Sequence, residues 1–390
     1  MGLDESQGQR LILRIDNEAL DYAWGSKTLI SDYFGTPATG HPMAEIWYGT
    51  HPSHPSRLPD EPNQNLLEKI GHPLSFLLKI LAADRPLSIQ AHPSERQAQK
   101  GFARENARGI EADSPLRNYK DDRHKPEMIV ALVDGFEALA GFRPQLEIRA
   151  ILAAIEACGG DLGSYAALWK TQLFELGEVF EQMMTLGYKS KSLVRELASV
   201  TTDNPAIQDA LDVALTIAEE YPDDPGVLVT LLMNHVTLAQ GEALAVPAGQ
   251  VHAYIRGIGV EVMASSDNVL RGGLTKKHID LVELQSVLVF DSIEVEKLLP
   301  KSLARGLSLY PSICDDFLLY RVDLDGSTVL ADLNLPGDGI LLCTAGQLVI
   351  SNSLGEAMTL RRGEAAYISG DAKLFTLSSS GNGFFVTTPR

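Results

Sequence analysis

The chain has 390 residues, 45% hydrophobic and 22% charged, the balance of a globular protein with more than one core. Its 33 Lys and Arg stand against 51 Asp and Glu, a formal charge of −18 that repels phosphate backbones and argues against nucleic acid as a partner. No apolar run reaches the roughly 20 residues that cross a bilayer, and the start has no signal-peptide core, so we expect a cytoplasmic protein with no membrane partner. Cys158, Cys314 and Cys343 are scattered and odd in number, which reads as reduced thiols rather than a disulfide framework.

In chain order, residues 11 to 144 are broken by prolines at 37, 42, 52, 55, 59, 62 and 73, which predicts loops and short strands. Leu11–Ile15 and Leu74–Leu81 read as strands, and Gln97–Glu111 as a surface helix or lid. At Gln145 the texture changes. Ile148, Ile151, Leu152 and Ile155 fall at helical spacing, and further helices are predicted over Tyr165–Leu186, Ser192–Val200 and from Asn204-Pro205 to Glu220. After Gly226 strands return: Val227–Met233, Val236–Leu238, Leu244–Val246, Val251–Ile255 and Val260–Met263. From about Ser292 the chain is again strand and turn.

An internal echo links the two strand-rich parts. The run from Leu238 to Gly249 aligns with that from Leu360 to Asp371, with Gly-Glu-Ala identical at 241–243 and 363–365. In that register His252 falls opposite Leu374, so the second copy is expected to lack metal ligands.

Three short blocks carry chemistry. Gln90 and His92 are two apart in Ser88-Ile-Gln-Ala-His-Pro, so an amide and an imidazole share one face of an extended segment. Lys125 and Glu127 repeat that spacing in His124-Lys-Pro-Glu, and His252 follows a turn in Pro-Ala-Gly-Gln-Val-His. Gln90, His92, Glu127 and His252 offer nitrogen and oxygen but no sulfur, which suits a catalytic zinc or related divalent ion. Alone, each reads more simply as a satisfied core histidine or a surface ion pair; their coincidence shifts the balance. No dinucleotide fingerprint or Walker-type loop appears, so neither NAD nor ATP is implied.

These blocks, with Asp21-Tyr-Ala-Trp-Gly25, Ala44-Glu-Ile-Trp-Tyr-Gly-Thr-His-Pro52, Phe136–Pro144 and Glu261-Val-Met-Ala-Ser-Ser-Asp-Asn-Val-Leu-Arg271, resemble the signature blocks of type I phosphomannose isomerases, in order across much of the chain. The resemblance implies a mainly β fold with an α-helical insertion: two cupin-type jelly-roll barrels plus a helical subdomain. The expected division is 1–144 with 226–291 as the metal-binding barrel, 145–225 as the insertion and 292–390 as a barrel without ligands. It implies one zinc ion per chain on Gln90, His92, Glu127 and His252, and the interconversion of mannose 6-phosphate and fructose 6-phosphate, with a monomer acting on a small hexose phosphate.

Arg271 is the implied active-site arginine, suited as an obligate cation to an enediolate or phosphate oxygen. Lys125 is placed as a substrate contact or proton carrier; Lys125, Glu261 and a metal-bound water stay open as the acid or base. Ser88, Trp24, Glu45, Glu261 and Asp267 are candidate sugar contacts, with Trp47 beside them. Lys276, Lys277, Lys100 and Arg104 are candidate phosphate cations. His124 should face away from the ligands, and His41, His51, His54 and His72 read as loop residues. Two other readings are an iron-dependent cupin oxygenase, against which Gln90 and the Lys125/Arg271 pair argue, and a sugar-phosphate sensor without turnover, which the full ligand set disfavours.

Overall fold

The computed structural model describes residues 10–159, 170, 175–185, 188–334, 336–372 and 374–389. Among the described residues strands outnumber helices, and they are arranged as two pairs of cupin-like sheets. In the first, β2 (Glu45–Tyr48), β3 (Phe76–Ala83), β5 (Glu127–Ala131) and β8 (Ala243–Val246) form one sheet with the second half of β9 (His252–Ala264). The first half of β9 joins β4 (Gln90–Ala91), β10 (Leu270–Arg271), β6 (Phe136–Phe142) and β7 (Met233–Leu238) in the other. All pairings are antiparallel. The strand changes sheets at Gly257, whose φ is +124° and where a Cβ would stand 2.8 Å from the Phe136 Cα, so a side chain cannot be carried through this corner.

The second pair uses the same device. Residues 339–346 of β15 (Gly339–Asn352) pair with β17 (Ala365–Ile368) and β19 (Ser380–Thr387), and residues 347–352 pair with β16 (Ala357–Arg361) and β18 (Leu374–Ser378). Outside these lie β11 (Lys301–Ala304), β12 (Leu307–Leu309), β13 (Leu318–Asp325) and β14 (Leu330–Asn334).

The Gly-Glu-Ala echo is a repeated turn. The Glu242 carboxylate accepts from the Ala239 N–H at 2.8 Å, and Glu364 from that of Arg361 at 2.8 Å. Gly241 donates to the Ala131 carbonyl and Gly363 to that of Cys343, at 2.9 and 2.8 Å. From there the registers correspond: Glu127 faces Val246 as Gly339 faces Ile368, and Gln90 faces His252 as Asn334 faces Leu374. The second copy therefore has glycine and leucine where the first has a carboxylate and an imidazole. It also closes its hairpin between β15 and β16 tightly, where the first inserts the helices between β6 and β7.

Those helices cover Gln145–Ala157, Leu176–Thr185, Tyr188–Leu197, Pro205–Glu220 and Gly226–Thr230. Asn204 caps the fourth, accepting from the Ala206 and Ile207 N–H groups, with Pro205 at its first position. The helix predicted over Tyr165–Leu186 lies largely outside the described residues before Leu176. Ile148, Ile151, Leu152 and Ile155 are all buried, and their cluster runs into Ile89, Leu139, Phe142 and Ala253 of the sheet. The insertion thus covers a sheet face rather than hanging from a linker, each buried Ile or Leu being worth about 1.5–3 kcal/mol.

Two expectations change. Val227–Met233 is a short helix and a turn, with strand only from Met233; a continuous apolar run carries no period to separate the two. β1 (Ile12–Ile15), assigned by position to the first barrel, pairs instead with β17 of the second and supplies that sheet's edge. Its Leu13 and Ile15 join a core shared by both halves, with Phe76, Leu78 and Val262 on one side and Tyr310, Phe317, Ile340 and Phe384 on the other.

Across this seam His124 meets Asp316, Nε2 to Oδ2 at 2.7 Å, and the Ser75 hydroxyl donates to the Asp316 carbonyl at 2.6 Å. The hydrogen bond to Asp316 raises the His124 pKa above its usual range, against the effect of burial. A raised imidazole pKa adds stability that is complete below about pH 6.5, the unfolded value, and disappears as pH rises through the folded value. Asp316→Asn is therefore expected to lower the unfolding temperature at pH 6 and to do so less at pH 8.5. Equal losses at both pH values would remove the charge from this contact. Among the described residues no helix is long and apolar enough to cross a membrane.

Candidate metal centre and active site

Strand register lines the site up in two rows. In the first sheet Arg271, Gln90, His252 and Ala140 lie opposite one another across β10, β4, β9 and β6. In the second Trp47, Lys79, Glu261 and Ile129 lie across β2, β3, β9 and β5. Directly paired residues share a face, so both rows look into the space between the sheets. That space is a cavity of about 560 Å³, lined by Trp24, Ser88, Lys125, Glu127 and Asp267 and, from the two rows, by Arg271, Gln90, His252, Trp47, Lys79 and Glu261, among others.

At its floor His92, Glu127 and His252 bring one ligand atom each within 4.8 Å of one another, all buried. The His92 Nε2 stands 3.3 Å from Glu127 Oε1, and the His252 Nε2 3.4 Å from Glu127 Oε2. Each ring's other nitrogen faces a carbonyl: His92 Nδ1 the Asn268 oxygen at 2.7 Å, His252 Nδ1 the Gln250 oxygen at 3.3 Å. A ring that donates from Nδ1 is left with a lone pair on Nε2, and both lone pairs then point at carboxylate oxygens. His92 Nε2 is buried without a hydrogen-bond partner. Such a set is mutually repulsive until a cation stands among it, and the outer carbonyls are the partners that orient metal-bound imidazoles.

Burial holds His92 neutral, its pKa lowered to about 4. Glu127 is held well below the usual carboxylate range: burial opposes this, but the Lys125 charge beside it outweighs it. The charge state that binds a metal is thus the one the fold favours. Gln90 donates its amide nitrogen to the Ser88 hydroxyl at 3.3 Å, which leaves its oxygen for the centre.

Around this floor the cavity mixes signs. Lys125 Nζ lies 3.4 Å from Glu127. Lys79, fully buried, lies 3.1 Å from Glu261 and 3.4 Å from Glu45, and Glu45 also accepts from the Trp47 indole at 2.9 Å. Burial opposes the Lys79 charge, but Glu261, Glu45 and Glu127 push its pKa up; burial raises that of Glu261. The Arg271 guanidinium is half-buried, its pKa lowered by burial, and meets no ion pair or hydrogen-bond partner among the described residues. Burial and the Arg271 charge also lower the pKa of Lys277.

The structure brings together in this cavity Trp24, Glu45, Ser88, Gln90, Lys125, Glu127, His252, Glu261, Asp267 and Arg271, with Trp47, Lys276 and Lys277, while His92 lies behind the floor. It does not bring Lys100 or Arg104, which sit on the helix Glu95–Ala107; Arg104 pairs with Glu283 at 2.7 Å. His124 does face away, to Asp316. Sequence reading missed Lys79, Tyr22, Tyr221, Tyr254 and Thr275, all of which line the cavity. For Lys79 a signal existed: a lone lysine inside the apolar run Phe76-Leu-Leu-Lys-Ile-Leu. His51, read as a loop residue, is buried and bonds Asp267 through Nε2 at 3.1 Å.

Fold and site define a cupin-type metalloprotein whose cavity is lined by charged and aromatic side chains. The family profile for the catalytic domain of type I phosphomannose isomerase matches residues 12–145. Mannose-6-phosphate isomerase of Escherichia coli K12 is 34% identical over 389 residues, covering 94% of this chain and 97% of its own; mannose-6-phosphate isomerase 1 of Arabidopsis thaliana is 32% identical, covering 95% and 92%. Crystal structures of a zinc-bound mannose 6-phosphate isomerase (TM-score 0.86, 31% identity) and of the apo enzyme from Salmonella typhimurium (0.85, 32%) each cover 98% of this chain and 100% of their own. The chain belongs to the type I phosphomannose isomerase family.

Proposed function

We propose that this protein interconverts mannose 6-phosphate and fructose 6-phosphate, moving a proton between C2 and C1 of the open-chain sugar through an enediol. The observation that carries the reading is one cavity holding a buried His-Glu-His group and, one strand away from His252 on β4 and two on β10, Gln90 and the uncovered Arg271. His92, Glu127 and His252 would hold one zinc ion, with the Gln90 amide oxygen as a further ligand. When bound, zinc supplies Lewis acidity toward the sugar oxygens.

The chain's own residues divide the remaining work. Glu261 suits the proton carrier: burial raises its pKa, which moves a carboxyl toward the range where it both takes and returns a proton. Lys79 holds that carboxyl in place at 3.1 Å. Lys125 and Asp267 are sugar contacts, Ser88 fixes the Gln90 amide, and Trp24 and Glu45 shape the wall. Arg271 balances charge on the enediolate oxygens, and Lys276 and Lys277 take the phosphate group. The unit that carries the reaction is built from residues 16–144 and 226–291, with the helices that follow Pro144 inserted and the part from 292 onward, joined by β1, as its packing partner.

The deciding experiment is incubation of the zinc-loaded protein with mannose 6-phosphate while fructose 6-phosphate is followed; no product from zinc-replete protein would overturn the reading. Arg271→Ala is expected to keep about one zinc per chain and to lose on the order of a hundredfold to a thousandfold in turnover, as for removal of an oxyanion-stabilising donor. Unchanged turnover would take Arg271 out of the reaction.

A further inference from the structure

The exit from the helical insertion touches the cavity rim on two sides. Tyr221, a cavity-lining residue, donates its hydroxyl to the Pro86 carbonyl at 3.0 Å, and Glu220 lies 3.3 Å from Arg85. These contacts tie the exit to the segment that leads into Ser88 and Gln90. A few residues on, the Asp224 carboxylate accepts from the Gly226 N–H at 2.8 Å and from the Thr275 N–H at 3.0 Å, 51 positions away in the chain. Here the two backbones are in contact. A Cβ on Gly273 would stand 2.6 Å from the Gly226 Cα, and one on Gly226 2.8 Å from the Leu274 nitrogen.

The turn held in this way is an unusual one. Leu274 has φ +55°, in the left-handed region that branched side chains avoid, and it is buried. Such a conformation persists only where the surroundings over-determine it. Gly273 and Gly272 connect this turn to Ile89 of the β4 segment, by hydrogen bonds of 3.1 and 2.8 Å. Arg271 precedes the turn and Thr275, Lys276 and Lys277 follow it, and all four line the cavity.

We propose that the helical insertion is part of the substrate site: Asp224, through the Thr275 amide, is a positioning residue that holds the left-handed turn at Leu274 and so presents Lys276 and Lys277 to the phosphate of the substrate. This rests on the reading that those lysines take the phosphate. A cation on a free turn searches many positions, whereas one anchored on both sides meets its anion already in place, which lowers the cost of binding rather than the barrier to proton transfer. The effect therefore belongs in KM and not in kcat.

The test compares steady-state kinetics with mannose 6-phosphate and competitive inhibition by inorganic phosphate in the zinc-loaded full-length protein. Asp224→Ala is expected to raise KM and the phosphate inhibition constant together, by about tenfold, with kcat within about twofold. Asp224→Asn keeps one acceptor oxygen and should fall between. Gly226→Ala presses on the same turn from the other side and should raise the same two constants, which keeps the test available if Asp224→Ala does not fold. A fall in kcat or in unfolding temperature with both constants unchanged would overturn the proposal. Lys276→Ala and Lys277→Ala serve as references: if neither alters inhibition by phosphate, the underlying assignment of the phosphate end fails. If they do and the Asp224 variants do not, the assignment stands and the positioning role fails.

Discussion

His252→Ala is expected to leave the purified protein folded but nearly free of zinc, and without measurable isomerase activity. The imidazole is one of three donors around the floor of the cavity, and its neighbours cannot replace it: the row beside it holds Ala140 on one side and Gln90 on the other. Losing it leaves a carboxylate, one neutral imidazole and the weakly donating Gln90 amide oxygen, a set that binds a divalent ion weakly. Metal analysis after dialysis checks the first part. Thermal unfolding checks the second: a tight ligand stabilises by about 4 kcal/mol at a thousand times its dissociation constant, so added zinc should raise the unfolding temperature of the parent and not of the variant. A variant that keeps one zinc per chain, or keeps its turnover, would place the ion elsewhere.

Lys79→Met is expected to be the most damaging single change in the upper part of the cavity. The substitution keeps the length of the chain and its packing but leaves Glu45 and Glu261 buried around a missing cation. Breaking a buried ion pair on one side costs about 3–5 kcal/mol, because the remaining charge has lost its partner and its water. Urea unfolding should show that loss at pH 7 and a smaller one at pH 5. Without Lys79 the Glu261 carboxyl is pushed further up, binds a proton more readily in the folded state, and so returns stability as the pH falls. Adding Glu261→Gln to Lys79→Met should recover part of the stability and none of the activity. A singly substituted protein as stable as the parent would mean that the lysine is solvated, contrary to its burial.

Both experiments probe residues whose legibility in the sequence differed. His252, Gln90, His92 and Glu127 stand in short blocks whose alternation suits strands; Gln90, Glu127 and His252 lie in β4, β5 and β9, while His92 falls just past the end of β4. Lys79 occupies a strand that was legible too, and its place in an apolar run marks it as unusual, yet nothing local names its partners: Glu45, 34 positions before it, and Glu261, far behind. His51 shows the same limit. Its proline-rich surroundings read as loop and are loop, but its partner Asp267 is 216 positions away.

The strand of residues 227–233 failed for another reason. An apolar run buried on all sides has no period to read, and the turn at Asp224 that sets its helix depends on contact with Gly273. Lys100 and Arg104 failed because composition marks a cation without marking its direction; the helix that carries them turns Arg104 toward Glu283.

Alternation, capping residues and the repeated Gly-Glu-Ala turn are short-range matters, settled by dihedral preference and by hydrogen bonds a few residues long. They determine where strands run, where helices begin, and that one half carries imidazoles where the other carries leucine. Which charges face one another was decided only by the closing of the sheets. Pairing of β3 with β9 sets Lys79 beside Glu261, pairing of β10 with β4 sets Arg271 beside Gln90, and burial then makes each of those neighbours matter by removing the water that would have screened them.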